Sequence, residues 1–192
     1  HMGGPQTMTE SSRRRLFLAA ALDEPTRRLL AAHLEAHGGG ALPGRAVQSP
    51  NWHLTLRFLG WATEPQRDGV MRALDESALP GPFVVRFGGL GAFPKERRAT
   101  VLWLGVDGGG DELGALAGAC DEAAQTVGYA AEDRPYHPHL TLSRIRPPQD
   151  LAELVESFPP FTVKMRVAAI TLYESHLRNG GAVYQALDTV EL

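Results

Sequence analysis

The tetrapeptide His-Leu-Thr-Leu occurs twice, at His53-Leu54-Thr55-Leu56 and at His139-Leu140-Thr141-Leu142. Alternate residues of a β-strand share a face, so in each copy the histidine and threonine point one way and the leucines the other. Two such strands side by side would surround one site with two imidazoles and two hydroxyls. Histidine titrates near neutrality, with an unperturbed pKa of about 6.5. One neutral imidazole can therefore take a proton from water while a second, protonated, gives one to a departing alkoxide. Each role is typically worth ~10²–10⁴-fold in rate. Threonine hydroxyls can donate hydrogen bonds to non-bridging phosphate oxygens, where charge develops. Together these groups suffice to break a phosphate ester by acid–base catalysis without a metal. A lone His-x-Thr in an apolar strand would be read as a hydrogen-bonded structural pair. Duplication favours a shared site, because packing has no reason to demand the same polar pair twice.

The duplicate belongs to a longer repeat. The histidines lie 86 residues apart, and the same offset carries Leu16-Phe17-Leu18 onto Leu102-Trp103-Leu104. Each of those apolar runs leads through a turn into a helical pattern, at 25–37 and at 111–127. Strand, helix and His-x-Thr strand thus recur over about residues 16–56 and 102–142, which implies two similar lobes related by a pseudo-two-fold. The first strand reads as 15–22. Asp23-Glu24-Pro25 then opens a helix that Gly38-Gly39-Gly40 closes. A polar loop leads to a strand at 52–59, and Thr63 with Gln66 fits a capping box for a helix to about Ser77. Strands follow at 83–87, 99–106 and 139–145, with glycines 88, 89 and 91 bending the chain. A short helix at 151–157 precedes two closing strands, 161–174 and 183–187, around Asn179-Gly180-Gly181. The expected class is α+β: two pseudo-symmetric lobes of largely antiparallel sheet, helices outside, around a central cleft.

Bulk properties narrow the function. A content of 43% hydrophobic and 21% charged residues suits a soluble globular protein of this size. The longest apolar run, 16–22, is far too short to span a membrane. A net charge of −3 does not announce a nucleic-acid binder. Only Lys95 and Lys164 are lysines; arginine suits bidentate phosphate binding, although compositional bias of the genome accounts for the preference equally well. The single Cys120 reads as a small buried hydrophobe in a reducing cytoplasm. His1-Met2 reads as an expression-tag remnant and residues 1–12 as a flexible tail, leaving 13–192 as one domain.

Other candidates carry less. His137 and His139 could be a metal pair, but only Asp133 is a nearby carboxylate, Pro138 intervenes and Asn51 stands where a matching histidine would be. Glycines 108–110 lie between strand and helix, as a phosphate loop would, yet Asp107 and Asp111 would repel an anion; a turn with Asp111 as helix cap is the better reading. No metal or cofactor is expected. Arg144 could reach a phosphate, but strand parity turns it away from His139 unless the strand ends or twists there. Phe17 and Trp103 hold equivalent repeat positions and could stack on a base, with core packing the favoured role.

These residues resemble the 2H phosphoesterase superfamily, named for two His-x-Thr motifs, and within it the bacterial and archaeal RNA 2′,3′-cyclic phosphodiesterase branch, historically called 2′-5′ RNA ligase. The likeness spans nearly the whole chain after the tail. It includes Arg15-Leu16-Phe17, the run His53 to Gly60, Trp103-Leu104-Gly105, the run Pro138 to Arg144, Leu172-Tyr173-Glu174-Ser175 and Gly181-Ala182-Val183-Tyr184. The resemblance implies a bilobal fold and metal-independent hydrolysis of a terminal 2′,3′-cyclic phosphate to a 2′-phosphate. By analogy His139 is the base and His53 the acid, although the near-symmetric repeat does not itself order these roles. Some relatives also join tRNA halves through a 2′-5′ linkage. The expected partners are RNA ends or cyclic-phosphate nucleotides, including tRNA halves, met by a monomer in the cytoplasm with no membrane contact. A non-catalytic RNA-end binder and a metal-dependent phosphoesterase are the competing readings.

Overall fold

The apolar runs and the alternating stretches become the strands of two antiparallel sheets. The structure, a computed structural model, describes residues 12–37 and 42–192. The expected tail at 1–12, apart from Ser12, and the Gly38-Gly39-Gly40 helix stop lie outside the described residues. The first half contains β1 (Arg14–Ala21), α1 (Glu24–His37), a two-residue β2 (Arg45–Ala46), β3 (His53–Ala62) and α2 (Glu64–Asp75). The second contains β4 (Phe83–Lys95), β5 (Arg98–Gly108), α3 (Gly110–Thr126), β6 (His139–Gln149) and α4 (Ala152–Ser157). Three strands close the chain: β7 (Val163–Val167), β8 (Ala169–Arg178) and β9 (Gly181–Glu191).

Local chemistry sets several boundaries. The Asp23 carboxylate accepts from the Thr26 amide at 2.8 Å and caps α1. Thr63 and Gln66 form the expected capping box: the Thr63 hydroxyl oxygen accepts from the Gln66 amide at 3.3 Å, and the Gln66 side chain accepts from the Thr63 amide at 3.0 Å. The start of α3 differs from expectation. Gly109, not Asp111, is its N-cap, in the left-handed region at φ 82°, and no side chain caps the helix. A Cβ at Gly109 would also press on the Val84 carbonyl at 2.5 Å, so both conformation and space select glycine. Asp111 sits in the first helical turn instead.

The sheet orders are β3-β1-β8-β9 and β2-β6-β5-β4-β7. Apart from β2, the second order repeats the first, with β6 for β3, β5 for β1, β4 for β8 and β7 for β9. The stretch 161–174 is not one strand. It divides at Ala168, β7 ending the second sheet and β8 joining the first. Side-chain alternation changes parity at the division: Val163, Met165 and Val167 are buried at odd positions, Ile170 and Leu172 at even ones.

The leucines of both motifs, Leu54, Leu56, Leu140 and Leu142, enter one hydrophobic cluster with residues of both sheets and of α1, α2 and α3. Burying one such side chain contributes about 1.5–3 kcal/mol. A smaller cluster of Ala92, Ala99, Leu102, Ile145 and Leu151 lies beside α4. Cys120 is fully buried in α3, and burial pushes its thiol up to about 12, far from a reactive thiolate. Among the described residues no helix is long and apolar enough to cross a membrane.

Candidate active site

His53 and His139 open β3 and β6, and those two strands approach each other. Tyr136, three residues before His139, donates its hydroxyl to the Thr55 carbonyl at 2.9 Å, tying one motif directly to the approach of the other. The two imidazoles are mounted alike. The Nδ1 of His53 lies 2.7 Å from the Asn51 carbonyl, and the Nδ1 of His139 lies 2.7 Å from the His137 carbonyl. A carbonyl only accepts, so each Nδ1 carries hydrogen and donates. This fixes the tautomer and leaves each Nε2 as the ring atom able to take or give a proton. The Nε2 of His53 also meets the Thr55 hydroxyl at 2.9 Å.

Burial pushes the pKa of both histidines below the ordinary value, because a charged ring loses solvation there. The hydrogen bonds to the Asn51 and His137 carbonyls oppose this shift. For His53 the positive charges of His139 and Arg144 lower it further; for His139 those of His137 and Arg144 do. Arg144 therefore acts on both rings and is a neighbour of the site.

That placement corrects the parity expectation for Arg144. Trp103 pairs with Thr141 and Leu102 with Ser143, so Leu142 is passed over as a bulge. One extra residue reverses the alternation, and Arg144, opposite Val101, returns to the face of His139 and Thr141. The first half carries the same device. Ala19 pairs with Thr55 and Leu18 with Arg57, passing over Leu56, the repeat equivalent of Leu142. The residue that returns to the site face there is Phe58, opposite Phe17. Equivalent positions thus hold an arginine in one half and a phenylalanine in the other.

Aromatic rings support both histidines. Phe17 is buried, with its ring centroid 4.8 Å from that of His53, and Tyr184 meets the same imidazole edge-on at 5.3 Å. Tyr173 stacks on Phe17 at 5.2 Å. On the other side Phe93 meets His139 edge-on at 5.0 Å and Trp103 at 5.2 Å. The half-buried Trp103 indole lies across Gly91, where a Cβ would come within 2.2 Å of it, so only glycine fits beneath the ring. Trp103 also borders, with His137 and Pro138, an open cavity of about 260 Å³. The expectation of core packing fits the position of Phe17 better than that of Trp103. Tyr173, Tyr184 and Phe93 come from strands without a chemical motif. Only the first two carried any signal, as members of the family-like segments near the end of the chain. His137 and His139 have centroids 5.8 Å apart, and among the described residues no group of three His, Cys, Asp or Glu side chains forms a ligand set.

The 2′-5′ RNA ligase superfamily model matches residues 29–179. The chain is 32% identical over 160 residues to the RNA 2′,3′-cyclic phosphodiesterase of Aeropyrum pernix, covering 81% of this chain and 89% of that one. It is 32% identical over 178 residues to the Escherichia coli (strain K12) protein of the same name, covering 92% and 96%. The crystal structure of E. coli LigT complexed with 3′-AMP superposes with a TM-score of 0.77 at 27% identity, covering 94% of this chain and 98% of that one. With its sheet order, its paired His-x-Thr strands and these matches, the chain belongs to the 2′-5′ RNA ligase superfamily.

Proposed function

We propose that this protein hydrolyses RNA 2′,3′-cyclic phosphate ends to 2′-phosphomonoesters by general acid–base catalysis. The observation that carries the reading is the pair of imidazoles held through Nδ1, each with Nε2 left for proton transfer, on neighbouring strands. Relatives that bear the name RNA 2′,3′-cyclic phosphodiesterase support it. The Nε2 of His139 takes a proton from water, whose oxygen attacks phosphorus. The bond from phosphorus to the ribose 3′ oxygen breaks, and the protonated Nε2 of His53 delivers its proton to that oxygen. Thr55, Thr141 and Arg144 hold the non-bridging oxygens as their charge grows. Exchange with solvent then restores both rings. Ligation is the related reaction in which an RNA 5′ hydroxyl replaces water. We read residues 13–192 as one bilobal unit acting as a cytoplasmic monomer on RNA ends, tRNA halves among them.

The test is incubation with a short RNA ending in a 2′,3′-cyclic phosphate, with and without EDTA. The expected product is the 2′-monoester, formed at the same rate under chelation. Activity lost to EDTA and restored by a divalent ion would replace this reading with a metallo-enzyme. Tight binding without turnover would leave only an RNA-end binder.

The pH profile follows from the two lowered pKa values. Activity falls as pH drops through the pKa of the base, and falls again as pH rises through that of the acid. With both below the ordinary histidine value, kcat/KM of the free enzyme should peak below about pH 6.5. A bound phosphate favours imidazolium, so the kcat maximum should lie higher. Arg144→Leu removes a positive charge felt by both rings, and its kcat/KM maximum should move up. A wild-type maximum on the alkaline side of neutrality, or no shift in the variant, would contradict this electrostatic account.

A further inference from the structure

The site face of the first sheet continues well beyond His53. The extra residues in the β1–β3 pairing belong to β3, so Arg15 shares a face with Phe17 on β1. Leu59 is passed over between the pairs Phe17–Phe58 and Leu16–Gly60, which places Trp61, opposite Arg15, on that same face. On β8, Tyr173 pairs with Phe17, and Ser175 and Leu177 extend its side. Phe58, Trp61 and Leu177 are 59%, 63% and 79% exposed. Large apolar side chains gathered on one exposed face mark a contact surface. Around Trp61 and Leu177 the chain forms an open groove of about 620 Å³ walled by Arg13, Arg14 and Arg15. Glu174 is the one carboxylate in its lining. It is buried, with Oε1 3.2 Å from His176 Nε2 and 3.9 Å from an Arg14 nitrogen.

We infer that this groove is a docking track for the single-stranded RNA that carries the reacting end, several nucleotides from the phosphate; the inference rests on the hydrolase reading above. Three consecutive arginines supply the charge that an RNA backbone requires, in a chain whose net charge is −3. An exposed indole beside a guanidinium offers a base a stacking surface and its phosphate a bidentate donor. The track is continuous with the site through Phe58, whose ring lies 5.9 Å from Phe17, itself in contact with His53. Trp61 stands eight residues beyond His53 on the same strand, roughly 25 Å at ~3.3 Å per residue. A mononucleotide cannot reach it; an oligonucleotide can.

The test compares a nucleoside 2′,3′-cyclic monophosphate with an RNA of about eight nucleotides ending in the same group. The wild type, Trp61→Ala and Arg15→Gln are assayed on both. Each variant should raise KM for the oligonucleotide about tenfold, with kcat and mononucleotide kinetics unchanged. Binding of the same RNA ending in a 3′-phosphate, read by fluorescence anisotropy, should weaken in parallel. In Arg15→Gln the slope of log Kd against log salt should fall by about 0.7. Unchanged oligonucleotide binding in both variants, or an equal loss on both substrates, would overturn the inference. So would a wild-type dimer that Trp61→Ala dissociates without affecting RNA kinetics, which would give the surface to a second copy. If the wild type turns over neither substrate while the variants still lose RNA affinity, the hydrolase reading fails and the track stands.

Discussion

Replacing either His53 or His139 by alanine should lower kcat on a cyclic-phosphate RNA by at least ~10²–10⁴-fold, since each change deletes one proton transfer. The double variant should be scarcely slower than either single, because groups that act as one unit are not additive. Thr55→Val and Thr141→Val remove one donor each and should cost ~10²–10³-fold at most. A substrate whose leaving group needs no protonation separates the roles. It should restore His53→Ala and leave His139→Ala slow; the opposite outcome would exchange acid and base while keeping the mechanism. Near-normal turnover by both single variants would end the acid–base reading.

A comparably large effect, on stability, is expected at Arg57. This buried side chain donates to the Phe58 carbonyl at 2.5 Å and the Ala130 carbonyl at 2.6 Å, and pairs with Asp121 at 3.1 Å and Glu132 at 3.0 Å. It clamps the segment after α3, which leads to Tyr136 and His139, onto β3. Arg57→Met would leave two carbonyls without their charged donor and the partly buried Asp121 without its cation. Breaking a buried pair costs about 3–5 kcal/mol, and the partial exposure of both carboxylates places this one near the lower figure. At ~2–4 °C per kcal/mol for a chain of this size, the melting temperature should fall by about 10 °C. Arg57→Lys keeps charge but not the fork, and should recover only part. A thermal unfolding midpoint for Arg57→Met indistinguishable from wild type would show that the clamp carries no stability.

The strands and helices were legible because their period is local. Thr63 and Gln66 announce a helix start by their own chemistry, and Leu54, Leu56, Leu140 and Leu142 mark their core side by alternation. The positions of His53 and His139 follow from the same alternation plus the repeat. Arg144 was not legible, because a bulge at Leu142 is a property of the pairing with β5, and parity along β6 alone cannot register it. The Phe93, Tyr173 and Tyr184 rings beside the histidines arrive from strands distant in sequence, where an aromatic residue looks like any other core-former. The division at Ala168 left a local trace, the passage of the apolar side from Val163, Met165 and Val167 to Ile170 and Leu172, but which sheet each half joins is decided by pairing. Gly109 displaced Asp111 as the cap of α3 because close approach to Val84, a tertiary contact, decided the turn.

The arginine at 144, where the equivalent position of the first half holds a phenylalanine at 58, bears on handedness of binding. A site with true two-fold symmetry would receive a ribose cyclic phosphate in two poses related by half a turn, with the 3′ oxygen leaving in both and the two histidines exchanging the roles of acid and base. A single cation placed on one side makes those poses unequal in energy. A difference of about 1.4 kcal/mol already favours one tenfold. The order of acid and base would then originate in one departure from duplication, and in an Arg144→Phe background, which restores sameness, a substrate whose leaving group needs no protonation should rescue His53→Ala and His139→Ala alike.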